Sequence, residues 1–508
     1  MARRSRRQAK SDQSSAQQFG RPNRKIQNSM APMDILSEDQ LQTIHDCSLR
    51  ILGEIGVEFM GQKARDCFRA AGAEVNDETG QVRMDRELVE KAMASAPSDF
   101  TLTPRNPLNS LHFGKNSICT TSVGGPPTVH DCVQGRRNGN FDDYCKILKL
   151  VQSFDTVHGI GNQPTPPMDL PAFNRHLDCY QANATLTDKV WMNTSIGSDR
   201  ALDGITISAY SRGMTLDEIK TNPSCMTIIS VNSPRRFDGE MSDGLMTTAE
   251  YGQCVAVTPF TLMGAMTPTT LPGALAQQNA EALSGMVLTQ LVNPGAPVMY
   301  GSFTSNVDMK TGAPAFGTPE YARAVLASGQ LARKYNVPFR CSNATAANTV
   351  DAQATYESEM SLWACFTAHT NLLYHAAGWM EGGLTASFEK FVLDAELIGM
   401  LAETVKPFEI TEDTLAFDAI ADIPTGGQFF DHPHTLARYK DAFYEPMLSD
   451  WRNYEVWEQD GARIATERAT AIWQQALSQY QQPEMDAAQA EKIAEFVAKR
   501  KKEIADSI

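Results

Sequence analysis

The sequence predicts an α/β protein built on a (β/α)8 TIM barrel, with a small N-terminal α/β cap and a C-terminal helical extension. Three observations carry this expectation. Eight short runs of β-branched or apolar residues recur after Pro107. Each is followed by an amphipathic stretch of ten or more residues, the alternation expected of parallel strands joined by right-handed crossovers. No GxGxxG turn opens any of these units, which sets the barrel ahead of a doubly wound open sheet.

Taken in order, residues 1–36 are polar and rich in Gln and Ser, and the first ten carry five basic side chains. They read as a disordered basic tail. Residues 37–107 form the cap. Ser37 opens a helix with Gln40 three residues on, a capping-box spacing. Leu41, Ile44, Leu49, Ile51 and Leu52 then give a helical stripe through Gly53. Helices over 63–71 and 86–95 flank a strand at Gln81–Met84.

The barrel spans 108–403. Its strands are expected at Ser117–Ser122, Val157–Gly161, Val190–Ser195, Met226–Val231, Phe260–Met266, Val298–Phe303, Phe339–Ser342 and Leu372–Ala376. Helices are expected near 141–153, 170–186, 199–212, 243–256, 273–292, 318–335, 352–369 and 386–403. Residues 404–508 hold the loop 423–435 and then aromatic-rich helices. That extension offers a dimer surface, so a homo-oligomer is expected.

Composition narrows the function. The chain has 508 residues, is 42% hydrophobic and carries a net charge of −15, so it can bury a large core. The negative balance argues against nucleic acid as a partner. Ten cysteines are scattered with no CxxC pair. They read as reduced thiols in a cytoplasmic protein. No run of 18 apolar residues marks a membrane span.

Barrel active sites sit at the C-terminal ends of the strands. Those ends supply Gly124, Asn193, Phe303, Asn343, His375, Trp379 and Gly382. Metal-ligand spacing, a Schiff-base lysine and a carboxylate pair are all missing from them. Such a mouth encloses and hydrogen-bonds its ligand, which suits chemistry carried by a cofactor. Trp379, Phe303, Tyr300 and Phe388 form a candidate aromatic wall for a quaternary ammonium, or else pack the core. His375 is a ligand contact or a hydrogen-bonded core histidine. His432 and His434, without a third ligand, read as structural.

Several separated motifs then point one way. They are Val350-Asp351-Ala352-Gln353-Ala354 with Tyr356-Glu357, Leu384-Thr385-Ala386-Ser387-Phe388-Glu389, and Gly426-Gly427 leading to His432-Pro433-His434-Thr435. The segment Leu88–Pro107 joins them. With these motifs the chain, over about residues 38–475, resembles the trimethylamine methyltransferase superfamily of corrinoid-dependent (β/α)8 enzymes. Trimethylamine-specific members of that family carry pyrrolysine in the loop before the Asp-Ala-Gln-Ala motif. Here that loop is ordinary, and its equivalent position is Asn348 or Thr349.

The resemblance, with this departure, implies the non-pyrrolysine branch and a quaternary amine substrate, glycine betaine above others. The methyl acceptor is then the Co(I) corrinoid (cobalamin) of a partner corrinoid protein, with no cofactor held tightly by this chain. The alternatives are trimethylamine or another methylamine as substrate, or a catalytically idle amine-binding barrel. The expected substrate-binding residues are Trp379, His375, Phe303, Asn343, Gln353 and Asn193. Gly124, Gly382 and Gly427 are expected to face the corrinoid.

Overall fold

The computed structural model of the chain describes residues 23–507. Eight strands form its centre: β1 (Ser117–Ser122), β2 (Gly159–Ile160), β3 (Val190–Asn193), β4 (Met226–Val231), β5 (Cys254–Met263), β6 (Val298–Gly301), β7 (Phe339–Ser342) and β8 (Leu372–Ala377). Each pairs in parallel with the next, and β8 pairs with β1, so the sheet closes into the expected barrel. Helices α1 (Phe141–Ser153), α2 (Arg175–Leu186), α3 (Ser198–Ser211), α4 (Gly239–Glu250), α5 (Leu271–Val292), α6 (Pro319–Lys334), α7 (Ala352–Thr367) and α8 (Phe388–Thr404) follow the strands in turn. Their starts are written in the sequence. Asn140, Thr318, Asp351 and Ser387 each accept a backbone N–H of the first turn.

The fifth strand differs from expectation. It begins at Cys254, not Phe260, because α4 ends at Glu250 and Cys254–Val257 already pairs with β4. The apolar run there has no period that separates helix from strand. After β6 the chain also continues as a strand over Phe303–Val307.

Strand alternation divides the residues cleanly. Cys119, Val190, Met192, Met226, Ile228, Cys254, Ala256, Met299, Leu372 and Tyr374 fill the lumen. Its N-terminal end is plugged by Phe100, Leu102, Leu111 and Phe113 of a hairpin. The opposite strand faces join the helices in the main core.

Ser37 and Gln40 make the expected capping box at the start of the helix Glu38–Arg50. Residues 1–22 of the expected tail lie outside the described residues. The rest of it, 23–36, is not a disordered tail. Ile26–Gln27 pairs antiparallel with β1, and Asn23 and Asn28 are buried. The Asn28 amide donates to the Phe366 carbonyl (2.8 Å), so short polar side chains tie this stretch to the barrel.

At the C-terminal end, α9 (Ala465–Ser478) packs on α8 and α1, and α10 (Ala487–Asp506) packs on α2 and α3. Arg500 bridges Asp203 at 2.8 Å and Lys501 bridges Asp178 at 2.5 Å, which ties α10 down. Among the described residues no helix is long and apolar enough to cross a membrane.

Candidate functional site

Strand parity decides which strand-end residues reach the lumen. Met299 and Gly301 point inward, so Phe303, two residues further on, continues that side. Trp379 follows β8 in a short strand, Trp379–Met380, that pairs with Thr385–Ser387. The ring centroids of Phe303 and Trp379 lie 6.0 Å apart, edge to face. Phe316 stands 5.3 Å from Phe303 and 5.2 Å from Trp379. Phe260 closes the group at 5.2 Å from Phe303.

His375 joins them by a backbone irregularity. Alternation from Leu372 and Tyr374 would send it outward. The register breaks between Leu373 and Ala377, and His375 takes a φ of 53°, a left-handed conformation uncommon outside glycine. Its ring therefore stacks on Trp379 at 5.4 Å and lies 5.9 Å from Phe303. Its Nδ1 meets the Ser342 hydroxyl at 3.2 Å. Burial first, and Arg340 second, push its pKa well below the usual histidine value, so the imidazole is neutral at physiological pH.

Arg340 is the residue that the sequence reading passed over. It sits on β7 between Phe339 and Cys341, whose side chains face the helices, so its own side chain enters the lumen. It is among the largest fully buried side chains. The guanidinium carbon lies 4.8 Å from the Tyr374 ring centre and 5.6 Å from that of Phe303. One nitrogen donates to the Ser302 carbonyl at 3.3 Å, and Nε has no partner. Among the described residues no carboxylate bridges it. The hydroxyls of Thr121 and Thr258, also on lumen-side positions, are buried without partners. A buried, uncompensated guanidinium is costly and calls for an anion. One charged residue at an inward position of a short buried strand was the available signal.

The other expected residues divide. Asn193 follows the inward Met192 and so points outward: its amide accepts from Trp191 Nε1 (3.0 Å) and donates to the Cys225 sulfur. Asn343 follows Ser342 outward and donates to the Ala376 carbonyl (3.1 Å). Gln353 is exposed on α7 and donates to Glu357 (2.8 Å). Tyr300 is held behind the barrel by Gln278 and Asn279 of α5, and Phe388 packs on Trp473. Neither belongs to the aromatic wall.

Of the glycines, Gly124 is buried, and a Cβ there would lie 2.2 Å from the Tyr374 hydroxyl, so it serves internal packing. Gly382 is partly exposed, and its Cβ position is 3.6 Å from Phe316, which puts it against one ring of the aromatic group. The nearest neighbours of a Cβ at Gly427 are Ile423 and Pro424 of its own loop.

The loop 343–350 is held by Glu357. Its Oε2 accepts from Thr345 Oγ1 (2.5 Å), Ala346 N (2.8 Å) and Ala347 N (3.1 Å). Glu381 N and Gly382 N donate in turn to the carbonyls of Ala347 and Thr345. The Asp351-to-Glu357 motif thus fixes two loops at the mouth, while Asn348 and Thr349 stay exposed. His432 caps the helix Pro433–Arg438, accepting from His434 N at 3.1 Å. Among the described residues no cluster of three or more His, Cys, Asp or Glu could hold a metal.

The site thus joins an aromatic wall to a buried guanidinium that lacks an anion, with a neutral histidine between them. Comparison with known proteins places the whole chain among methyltransferases. The family described as trimethylamine methyltransferase (MTTB) matches residues 3–505. A glycine betaine methyltransferase of Desulfitobacterium hafniense (strain Y51) is 38% identical over 93% of this chain and 98% of its own. A proline betaine:corrinoid methyltransferase of Eubacterium limosum is 30% identical over 76% of this chain and 81% of its own. A trimethylamine methyltransferase MttB of D. hafniense (strain DSM 10664 / DCB-2) is 28% identical over 87% and 88%. The solved monomethylamine methyltransferase MtmB of Methanosarcina barkeri aligns over 90% of this chain and 97% of its own, at 11% identity and a TM-score of 0.48.

Proposed function

The chain belongs to the trimethylamine methyltransferase (MTTB) family, and on that premise we propose that it moves a methyl group from a betaine, glycine betaine first, to the corrinoid of a partner protein. The observation that carries this reading is the fully buried, unpaired Arg340 beside the aromatic wall. Trimethylamine has no group for that guanidinium. A betaine has a carboxylate one methylene from its quaternary nitrogen.

In this reading Arg340 takes the carboxylate in charge-assisted hydrogen bonds, with the Thr121 and Thr258 hydroxyls free to add donors. Trp379, Phe303 and Phe316 hold the ammonium by cation–π attraction, worth about 2 kcal/mol when desolvated. His375, kept neutral by burial, adds no competing positive charge against the ammonium. The aromatic wall also keeps water from the methyl groups.

A quaternary nitrogen already carries full positive charge, so its methyl needs no proton from this chain. The residues orient and desolvate; no acid–base pair is required. The corrinoid, carried by the partner, supplies the Co(I) nucleophile that accepts the methyl. The residues present fit its approach: Gly382 lies over Phe316 and offers no side chain against a flat ring. The loops 345–347 and 381–382, joined by hydrogen bonds to each other, form the rim it would meet. Ten free cysteines suit a reducing compartment and a cytoplasmic protein.

The test mixes the protein with reduced corrinoid protein and a panel of amines, following corrinoid methylation by absorbance. Methylation from glycine betaine and not from trimethylamine supports the reading. Turnover of trimethylamine alone would refute it. Binding of betaine without turnover would favour an idle binding barrel.

A further inference from the structure

α8 carries a charge where a helix least favours one. Ser387 caps it, so Lys390 stands in the first turn, among N–H groups that disfavour a cation. Lys390 is fully buried, and so is Asp394 one turn on, to which it is bonded. Burial works against the charge on both, and each is the chief influence holding the other charged. Apolar residues of the same bulk are often as good for stability, or better. Stability therefore does not account for the pair.

The second oxygen of Asp394 does. It accepts the Gly378 N–H at 2.9 Å. Gly378 lies between His375 and Trp379, the two site residues that follow from β8. Regular ladder bonding fails here, because the register of β8 against β1 shifts between Leu373 and Ala377. Two residues of the stretch are left-handed, His375 at a φ of 53° and Gly378 at 96°.

Asn343 grips the same stretch. Its backbone N–H donates to the Tyr374 carbonyl (3.1 Å) and its side-chain amide to the Ala376 carbonyl (3.1 Å). That side chain also bonds the Asp394 carboxylate. The Ser387 N–H donates to the Gly378 carbonyl at 2.9 Å. The bulge is thus held at Tyr374, Ala376 and Gly378 from one buried cluster. On its other side, Lys390 donates to Ser358 Oγ (2.7 Å) on α7. Ser358 adjoins Glu357, which fixes the loop 345–347.

We infer that Asp394, anchored by Lys390, is a positioning residue: its carboxylate fixes the bulge that turns His375 and Trp379 into the barrel mouth. A carboxylate suits the place because it accepts from Gly378, Asn343 and Lys390 together. Asp394 acts only through the rings it places. That those rings meet an ammonium rests on the proposed function, whereas the positioning does not.

Two double variants of the full chain remove the ion pair in different ways. Lys390→Met/Asp394→Asn keeps an oxygen for the Gly378 N–H, and Lys390→Met/Asp394→Leu keeps only bulk. Both should fold, since the two charges leave together, and circular dichroism checks it. With fluorotryptophan in the chain, the fluorine resonance assigned to Trp379 by Trp379→Phe should hold its position in the asparagine variant. In the leucine variant it should shift or broaden. Hydrogen exchange at the Gly378 amide should accelerate by about tenfold or more in the leucine variant alone. Tetramethylammonium should bind that variant about tenfold or more weakly, and the asparagine variant as it binds wild type. An unmoved Trp379 resonance with unchanged Gly378 exchange in the leucine variant would overturn the inference, and so would equal changes in both variants. The resonance and exchange readouts need no ligand. A wild-type protein that binds no ammonium would sink the proposed function, and those two readouts would still decide the role of Asp394. Where the leucine variant does not fold, Asp394→Glu, which keeps the charge and displaces the carboxylate by one methylene, takes its place with the same expected shifts and the same refuting result.

Discussion

Replacing Arg340 with Met separates the two halves of the proposed substrate. The new side chain is unbranched and apolar, ends two atoms short of the guanidinium nitrogens and loses the charge. Without ligand, the guanidinium is fully buried with Nε unpartnered, so its removal does not weaken the fold. Exchanging buried charge for apolar bulk is often stabilising by about 1–4 kcal/mol. With glycine betaine the sign reverses. A carboxylate would enter the lumen with no counter-charge, and breaking such a buried pair costs about 3–5 kcal/mol. At about 1.4 kcal/mol per decade that is roughly 10²–10⁴-fold in affinity. Tetramethylammonium keeps the cation and lacks the carboxylate, so its binding should change by less than about threefold by the same arithmetic. Arg340→Lys keeps the charge and loses the planar fork, and should fall between. Titration calorimetry with both ligands on all three proteins reads this directly. Equal losses for the two ligands, or a betaine loss under about tenfold, would refute the assignment of the carboxylate to Arg340.

Trp379→Ala should do the opposite, weakening glycine betaine and tetramethylammonium alike by roughly 30-fold, the worth of one desolvated cation–π contact of about 2 kcal/mol, as measured by the same titrations. Glu357→Ala removes the carboxylate that holds Thr345, Ala346 and Ala347, so hydrogen exchange should accelerate at the Ala346 and Ala347 amides and kcat/KM should fall at least tenfold, while Gln353→Ala spares the loop because it bonds Oε1 of Glu357 and the loop is held by Oε2. Burial pushes the His158 pKa down to about 3, and His375 is depressed in the same direction. The unfolded chain binds protons at these sites near pH 6.5 while the folded chain does not. Stability should therefore fall as pH drops below about 6.5, by up to about 1.4 kcal/mol per pH unit per histidine. Urea midpoints between pH 7 and pH 5 test this, and His158→Asn should flatten the dependence.

The barrel was legible because eight apolar runs each preceded a helical stretch, and capping residues such as Ser37, Asp351 and Ser387 act locally. β5 was misplaced because Cys254–Val257 follows α4 with no change of hydrophobic period. In the site, Phe303 and Trp379 were legible as aromatics at strand ends. Asn193 and Asn343 were misread for want of parity, since inward Met192 and Ser342 put each of them outward. His375 reaches the site only through a bulge, which no periodicity reveals. Arg340 was readable in principle as a charge at an inward strand position. The tail failed as an expectation at 23–36 because composition marks polarity, and single amides such as Asn28 can still anchor a polar strand to a barrel.

The central claim is that one methyl leaves a betaine whose carboxylate stays behind on Arg340. Glycine betaine carrying ¹³C in its N-methyl groups, mixed with this protein and reduced corrinoid protein, tests it by nuclear magnetic resonance. The account predicts dimethylglycine with two labelled methyls, one labelled methyl on the corrinoid protein in equal amount, and neither product with Arg340→Met at the same substrate concentration. Label transfer that Arg340→Met leaves unchanged, or no transfer from the wild-type protein, would contradict it.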